Sequence, residues 1–249
     1  MTPRLLLFFG MALTSAAWAD QAVDLARLHA EAIGGAARIA QFSALQATGT
    51  VRIGERTMHI GLVAQRPNRV RTIVQAQGYM LIQAYDGVNP PWQIDASAKS
   101  PGPQLIGEGA AHDFINDAEF DDPLVNSSER GYSIDYAGTT ETDGRRVFRL
   151  LVTHRLTETF ELELDGDTYF IIRRLSMGSL ANGRKVRLET RYADFRPVAG
   201  VIVPYRIGVY VDDRLLNETV LESVEANPPL APAVFSRPAT ADAKAEPGK

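Results

Sequence analysis

Residues Thr159–Asp165 read TFELELD. Phe160, Leu162 and Leu164 fall on one side of an extended chain, and Thr159, Glu161, Glu163 and Asp165 fall on the other. Successive strand side chains point to opposite faces, so this alternation marks a strand with one dry face and one wet face. The same period returns in KVRLETRY (185–192), with Val186, Leu188 and Tyr192 against Lys185, Arg187, Glu189 and Arg191. It returns again in VIVPYRIGVYV (201–211), where Val201, Val203, Tyr205, Ile207, Val209 and Val211 share a face. Between such runs stand Asp143-Gly144, Asp165-Gly166, Asn182-Gly183 and Asp212-Asp213, turn signals short enough to join antiparallel neighbours. From Ala44 onward this template predicts a meander of about eleven or twelve strands.

Ahead of the strands, Leu25, Leu28, Ala32, Ala36 and Ile39 recur at three- and four-residue spacing. They predict a helix over about Ala22–Ile33 and a second short one before Phe42, with Gly34-Gly35 as the interruption. Between Asn89 and Asp122 the meander breaks into a proline-rich loop and a short helix, on which Ala111, Phe114, Ile115 and Ala118 fit one face. Near the end, NPPLAPAVFSRP is coil that Phe235 should pin to the domain. A single antiparallel sheet of this length must curl, and an apolar concave face must be covered. The fold class expected is therefore mainly β: a curved, unclosed antiparallel barrel with helices over its concave face, a form that readily encloses a lipid-sized cavity.

At the other end, MTPRLLLFFGMALTSAAWAD carries one cation, Arg4, then an apolar run, then Ala17-Trp18-Ala19. That is the pattern of a cleaved signal peptide over residues 1–19, with an apolar run too short to span a bilayer. Cysteine is absent, so neither a disulfide nor a cysteine-linked lipid anchor is expected. The expected organisation is one domain over 20–238, located in the periplasm, and a disordered polar tail over 239–249. A net charge of −4 and no basic face argue against nucleic acid.

No catalytic or phosphate-binding motif is present, and none of His29, His59, His112 and His154 lies at metal-ligand spacing from another. No enzyme activity, metal or cofactor is expected. A hydrolase built on His112 with Asp113 or Glu119 would lack an oriented nucleophile. The acidic run Asp113, Asp117, Glu119, Asp121 and Asp122 lacks the glycine of a calcium loop and reads as a solvated helix face and loop. VAQRPNRVRTIVQAQG (63–78) sets Arg66, Arg69 and Arg71 around a Pro67-Asn68 turn. Those arginines could be a phosphate patch, wet strand ends, or a fitting in which one guanidinium crosses the sheet's mouth to the backbone of a plugging helix.

Taken in order along the chain, AIGGAARIAQFSALQATGTVRIG, AQRPNRVRTIVQAQG, QAYDGVNPPWQID, AEFDDPLV, YADFRPVAGVIVPYRI and NPPLAPAVFSRP resemble the periplasmic carriers of the LolA and LolB type and the wider lipoprotein-sorting-like superfamily. The resemblance covers about Leu25–Pro238. It implies a non-enzymatic periplasmic carrier or sorting factor that receives acyl chains of a lipoprotein or lipid, acts as a monomer, and meets envelope membrane proteins. It also implies that Arg66 latches the lid over the empty cavity. Inward-facing apolar candidates for the cavity are Leu45, Val51, Ile60, Leu62, Val70, Ile73, Leu81, Phe148, Phe160 and Leu162. The alternative is an envelope protein-binding or sensor module of the same fold without lipid cargo.

Overall fold

Two antiparallel meanders lie edge to edge in one sheet of thirteen strands. The computed structural model describes residues 13–154, 158–179 and 183–239. The leader expected over 1–19 and the tail expected over 239–249 fall outside these, save for 13–19 and 239. The first meander follows α1 (Leu13–Ala32) and α2 (Ala36–Gln41); it comprises β1 (Ala44–Ile53), β2 (Arg56–Gln65), β3 (Arg69–Ala76), β4 (Tyr79–Tyr85), β5 (Trp92–Asp95) and β6 (Gln104–Leu105). After α3 (Glu108–Asp117) come β7 (Tyr132–Thr142), β8 (Arg145–His154), β9 (Glu158–Asp165), β10 (Ile171–Ser179), β11 (Lys185–Val198), β12 (Val201–Val211) and β13 (Arg214–Ala226). The spatial order is β6-β5-β4-β3-β2-β1-β13-β12-β11-β10-β9-β8-β7, open at β6 and β7.

The strand count exceeds the sequence expectation because β5 and β6, four and two residues long, are too short to display alternation among the prolines at 90, 91, 101 and 103. The meanders join where β1 pairs with β13, Leu45 opposite Ala226 and Ile53 opposite Asn217. Asn227 clamps this seam: its Oδ1 accepts from the amides of Ser43 (2.9 Å) and Ala44 (3.1 Å), and its Nδ2 donates to Gln41 O (2.8 Å). A register shift between Thr48 and Gly49 brings the two backbones close there. A Cβ on Gly49 would stand 2.1 Å from Val220 O and 2.8 Å from Leu221 Cα, so only glycine fits.

The helices cover the inner face. Ala22, Leu25, Ala26 and His29 form the buried stripe of α1, the i, i+3, i+4, i+7 spacing of one helix face. Its three apolar members pack on Leu150, Val152, Phe160, Leu162 and Leu164. Ile39 of α2 and the adjoining Phe42 pack with Ala47, Val198, Val201, Tyr205 and Leu221. Each such aliphatic or aromatic side chain stabilises by about 1.5–3 kcal/mol on leaving water. On the outer face, Ala84, Trp92 and Ile94 form a small cluster with Ile82. Phe235 is fully buried, and its carbonyl accepts from Trp92 Nε1 at 3.0 Å.

Substituting Gly49→Ala should lower stability by about 1–3 kcal/mol, the usual range for overpacking a filled site. Gly61→Ala, where an added Cβ meets nothing within 4 Å, should change it far less. Urea midpoints of the two variants compare them directly.

Candidate functional site

Beneath the second meander the inner face is not filled. A cavity of about 940 Å³ lies between the strands β7–β13 and a lid made of α3 and residues 119–123. The register sets its floor: Arg174 stands opposite Thr190 on β11, Thr190 opposite Val209 on β12, and Tyr192 opposite Ile207. Leu188, Ile207, Val209 and Leu216 give an apolar strip, while Arg174, Thr190 and Tyr192 give a polar one. Asp117, Asn116 and His112 look in from α3, with Glu158 beside them. Among the described residues, no group of His, Asp and Glu side chains is placed to hold a metal ion.

The ten apolar residues proposed from sequence do not share this site. Phe160 alone lines the cavity. Leu162 and Phe148 pack in the α1 core, and Leu45 and Leu62 pack near α2. Val70 is buried with Ala118 against Phe114 and Ile115 of the lid helix. Val51 is buried opposite Met58, and Ile60 and Leu81 both stand opposite Val74, on the same inner side. Ile73 is on the wrong face: it pairs with Ile82, which packs outward against Trp92. Val70 and Ile73 are an odd number of residues apart, and an odd spacing in a strand reverses the side. The floor residues Leu188, Tyr192, Ile207 and Val209 were visible in the alternation; what the alternation does not reveal is which half of the sheet the helices fill.

Polar contacts hold the lid. Arg66, at the end of the β2–β3 hairpin, donates from Nε and Nη2 to both carboxylate oxygens of Asp121 (2.7 and 2.6 Å). It also donates to the α2 carbonyls of Ile39 (2.9 Å) and Ala40 (3.2 Å), and it lies over the Phe120 ring at 5.4 Å. Arg130 donates to Glu119 and to the carbonyls of Asp121 (2.9 Å), Asp122 (2.6 Å) and Val125 (3.1 Å). By contrast, Arg69 bonds only Gln65 among the described residues, and Arg71 has a buried Nε without a hydrogen-bond partner there.

His29 ties α1 to the lid. Its Nδ1 lies 2.8 Å from Tyr169 O and its Nε2 lies 2.9 Å from Asp122 Oδ2. Both partners accept, so both ring nitrogens must donate, and the imidazole is held as its cation. Burial pulls the His29 pKa down, but the Asp122 carboxylate and the Tyr169 carbonyl outweigh it and leave it raised. Burial likewise pushes Asp122 up, and His29⁺, with the Leu124 amide and Arg130, leaves it lowered.

The acidic run is thus divided: Asp117 on α3 is exposed, as a solvated face requires, and the loop residues after it are not. Glu119, Asp121 and Asp122 are partly buried partners of Arg130, Arg66 and His29, contacts that cross up to 93 residues and leave no local spacing signal. His112 contacts Glu158 and Asn116. Asp117 lines the cavity, where desolvation chiefly pushes it up, with Asp113 and Glu158 adding and Arg174 opposing. Burial also raises the Tyr192 phenol.

No protein-family model and no curated protein matches the chain. Solved structures do. A domain assigned to outer membrane lipoprotein sorting from Vibrio parahaemolyticus superposes with TM-score 0.56 at 11% identity, covering 88% of this chain and 97% of that one. A DUF1329 family protein from Desulfovibrio piger ATCC 29098 gives TM-score 0.57 at 12% identity over 88% and 97% of the two chains. A LolA superfamily protein from Nitrosomonas europaea gives 0.49 at 14% over 91% and 99%. The first two show that the chain has the fold of the lipoprotein-sorting-like proteins, an open antiparallel half-barrel.

Arg66→Leu should lower stability by about 1.5–3 kcal/mol, the range for hydrogen bonds to charged groups, because it also strands the partly buried Asp121. In a double-mutant cycle with Asp121→Asn the losses should be clearly less than additive. The His29–Asp122 pair predicts a pH dependence. A raised His29 pKa contributes stability fully below the ordinary 6.5, and that contribution is lost as pH rises through the folded value. A lowered Asp122 pKa contributes above 3.8, and that contribution is lost as pH falls through the folded value. The difference in Tm between the unmodified protein and His29→Gln should therefore be widest between those two values and shrink in alkali.

Proposed function

We propose that this protein is a non-enzymatic periplasmic carrier that shelters an acyl chain of a lipid or lipoprotein between strands β7–β13 and the lid. The cavity of about 940 Å³ on the inner face of an unclosed sheet carries this reading. That volume is in the range of sites that enclose a ligand of substantial size. Its floor offers Leu188, Ile207, Val209 and Leu216 as apolar surface. An acyl chain laid there gains about 0.8 kcal/mol per buried methylene without needing a specific partner for each.

The lid suits a carrier as well. No residue of α3 is fully buried, so little apolar packing opposes its displacement. The segment after it is fastened by Arg66, Arg130 and His29. In this reading Arg66 fixes one end of the lid to α2 while α3 yields to the incoming chain. The periplasmic setting rests on the leader pattern of the sequence and on the likeness of fold to lipoprotein-sorting proteins.

Protein lacking residues 1–19 should take up a fluorescent fatty acid or lipopeptide with saturable stoichiometry. Val209→Trp, which fills the floor, should weaken uptake at least about tenfold, equivalent to about 1.4 kcal/mol. Absence of lipid in both native mass spectrometry and probe titration, with a partner crosslinked under lipid-free conditions, would transfer the fold to the protein-binding reading.

A further inference from the structure

The cavity floor contains a cation that no described residue pairs. Arg66 and Arg130, which fasten the lid, each hold a carboxylate. Arg174 holds none among the described residues. Its Nε is buried without a hydrogen-bond partner, and its guanidinium is set against the Phe160 ring, 4.3 Å from the centroid. A buried N–H donor with nothing to donate to is uncommon in a native protein, and a guanidinium presents five donors in a fork suited to carboxylate and phosphate. Thr190, opposite Arg174 on β11, and Tyr192, two residues on along the same face, place hydroxyls on the same wall of the cavity. The apolar residues Leu188, Ile207, Val209 and Leu216 continue from this polar group. The wall is amphipathic in the way a single-headed amphiphile is.

Resting on the acyl-chain reading, we infer that the cargo is an anionic amphiphile, and that Arg174 receives its carboxylate or phosphate oxygens while the chain runs along the strip of Leu188, Ile207, Val209 and Leu216. Asp117 of α3 is the competitor. It lines the same cavity and feels the Arg174 charge without forming an ion pair with it. Of the other carboxylates lining the cavity, Glu158 is engaged by His112 and Asn116, and Glu119, Asp121 and Asp122 by Arg130, Arg66 and His29. Asp117 thus occupies electrostatically, from the lid, the place that a ligand anion takes from within.

The test uses three pyrene-labelled probes with one common chain: a fatty acid, the corresponding alcohol and its phosphate monoester. The unmodified protein should bind the acid and the phosphate at least about tenfold more tightly than the alcohol. Arg174→Gln should level the three while keeping the alcohol's affinity, and a kept affinity shows an intact fold. Asp117→Asn should tighten the acid and the phosphate several-fold and leave the alcohol unchanged. Equal binding of all three probes by the unmodified protein, or a preference for anions that survives Arg174→Gln, overturns the anion subsite and leaves the acyl-chain reading standing. Failure of all three to bind overturns both. If inorganic phosphate alone displaces the acid at equal concentration, the site belongs to a free anion, and the amphiphile assignment is overturned.

Discussion

The pairing of the first strand with the last governs this molecule. β1 cannot complete its ladder until β13 exists, with nearly the whole domain in the intervening loop, so the seam is among the most non-local contacts in the fold. Once it forms, the two meanders become one sheet whose free edges, β6 and β7, are adjacent in sequence but lie at opposite ends of the strand order. The chain must travel from one to the other. It crosses the inner face: Ala118 packs with Val70 and Tyr85, Phe120 N donates to Pro67 O at 2.9 Å, and Leu124 reaches the α1 core. The lid is therefore a consequence of the topology rather than an added device.

Apolar contacts through Ala118, Leu124 and Val125 anchor the crossing segment at both ends of residues 119–122, and charge fixes the stretch between them. Three cations from three separate places, the β2–β3 hairpin, the crossing segment itself and α1, each meet a carboxylate from residues 119–122. Partly buried charges are costly to leave unpaired, so these contacts are more selective for geometry than for overall stability. His29 shows this most clearly, since its two hydrogen bonds require an imidazolium inside the α1 core and bind the β9–β10 turn to the lid in one step.

The strands were legible because alternation is local: TFELELD, KVRLETRY and VIVPYRIGVYV each display their faces within a few residues. The three helices were legible from their own local period, whereas the residues left three readings open for Arg66, Arg69 and Arg71 and only the family resemblance pointed to Arg66. The β1–β13 seam left no mark beyond a glycine, and the partners of Asp121 and Asp122 lie 55 and 93 residues away. Placing Val70 and Ile73 together ignored the strand period that had identified their neighbours. Choosing the cavity's half required knowing where α1 and α2 settle, which depends on long-range packing rather than on either helix's own pattern.

Why the second half stays open follows from what lies on its floor. α1 fills the space over β8 and β9 and α2 the space near β1, β12 and β13, so neither packs squarely on β10 and β11, which α3 covers as a lid across the cavity. There the inward positions include Ser176, Gly178 and Thr190, small side chains that leave height above the sheet. Leu188 leans over Gly178, where a Cβ would stand 2.2 Å from its Cδ1, and so widens the strip without closing it. Protein interiors otherwise fill to nearly crystalline density, and an apolar void destabilises in proportion to its size. A chain that keeps small residues under a lid fastened by charges forgoes stability that larger side chains would supply, and occupancy by a ligand is the physical circumstance in which that arrangement loses nothing.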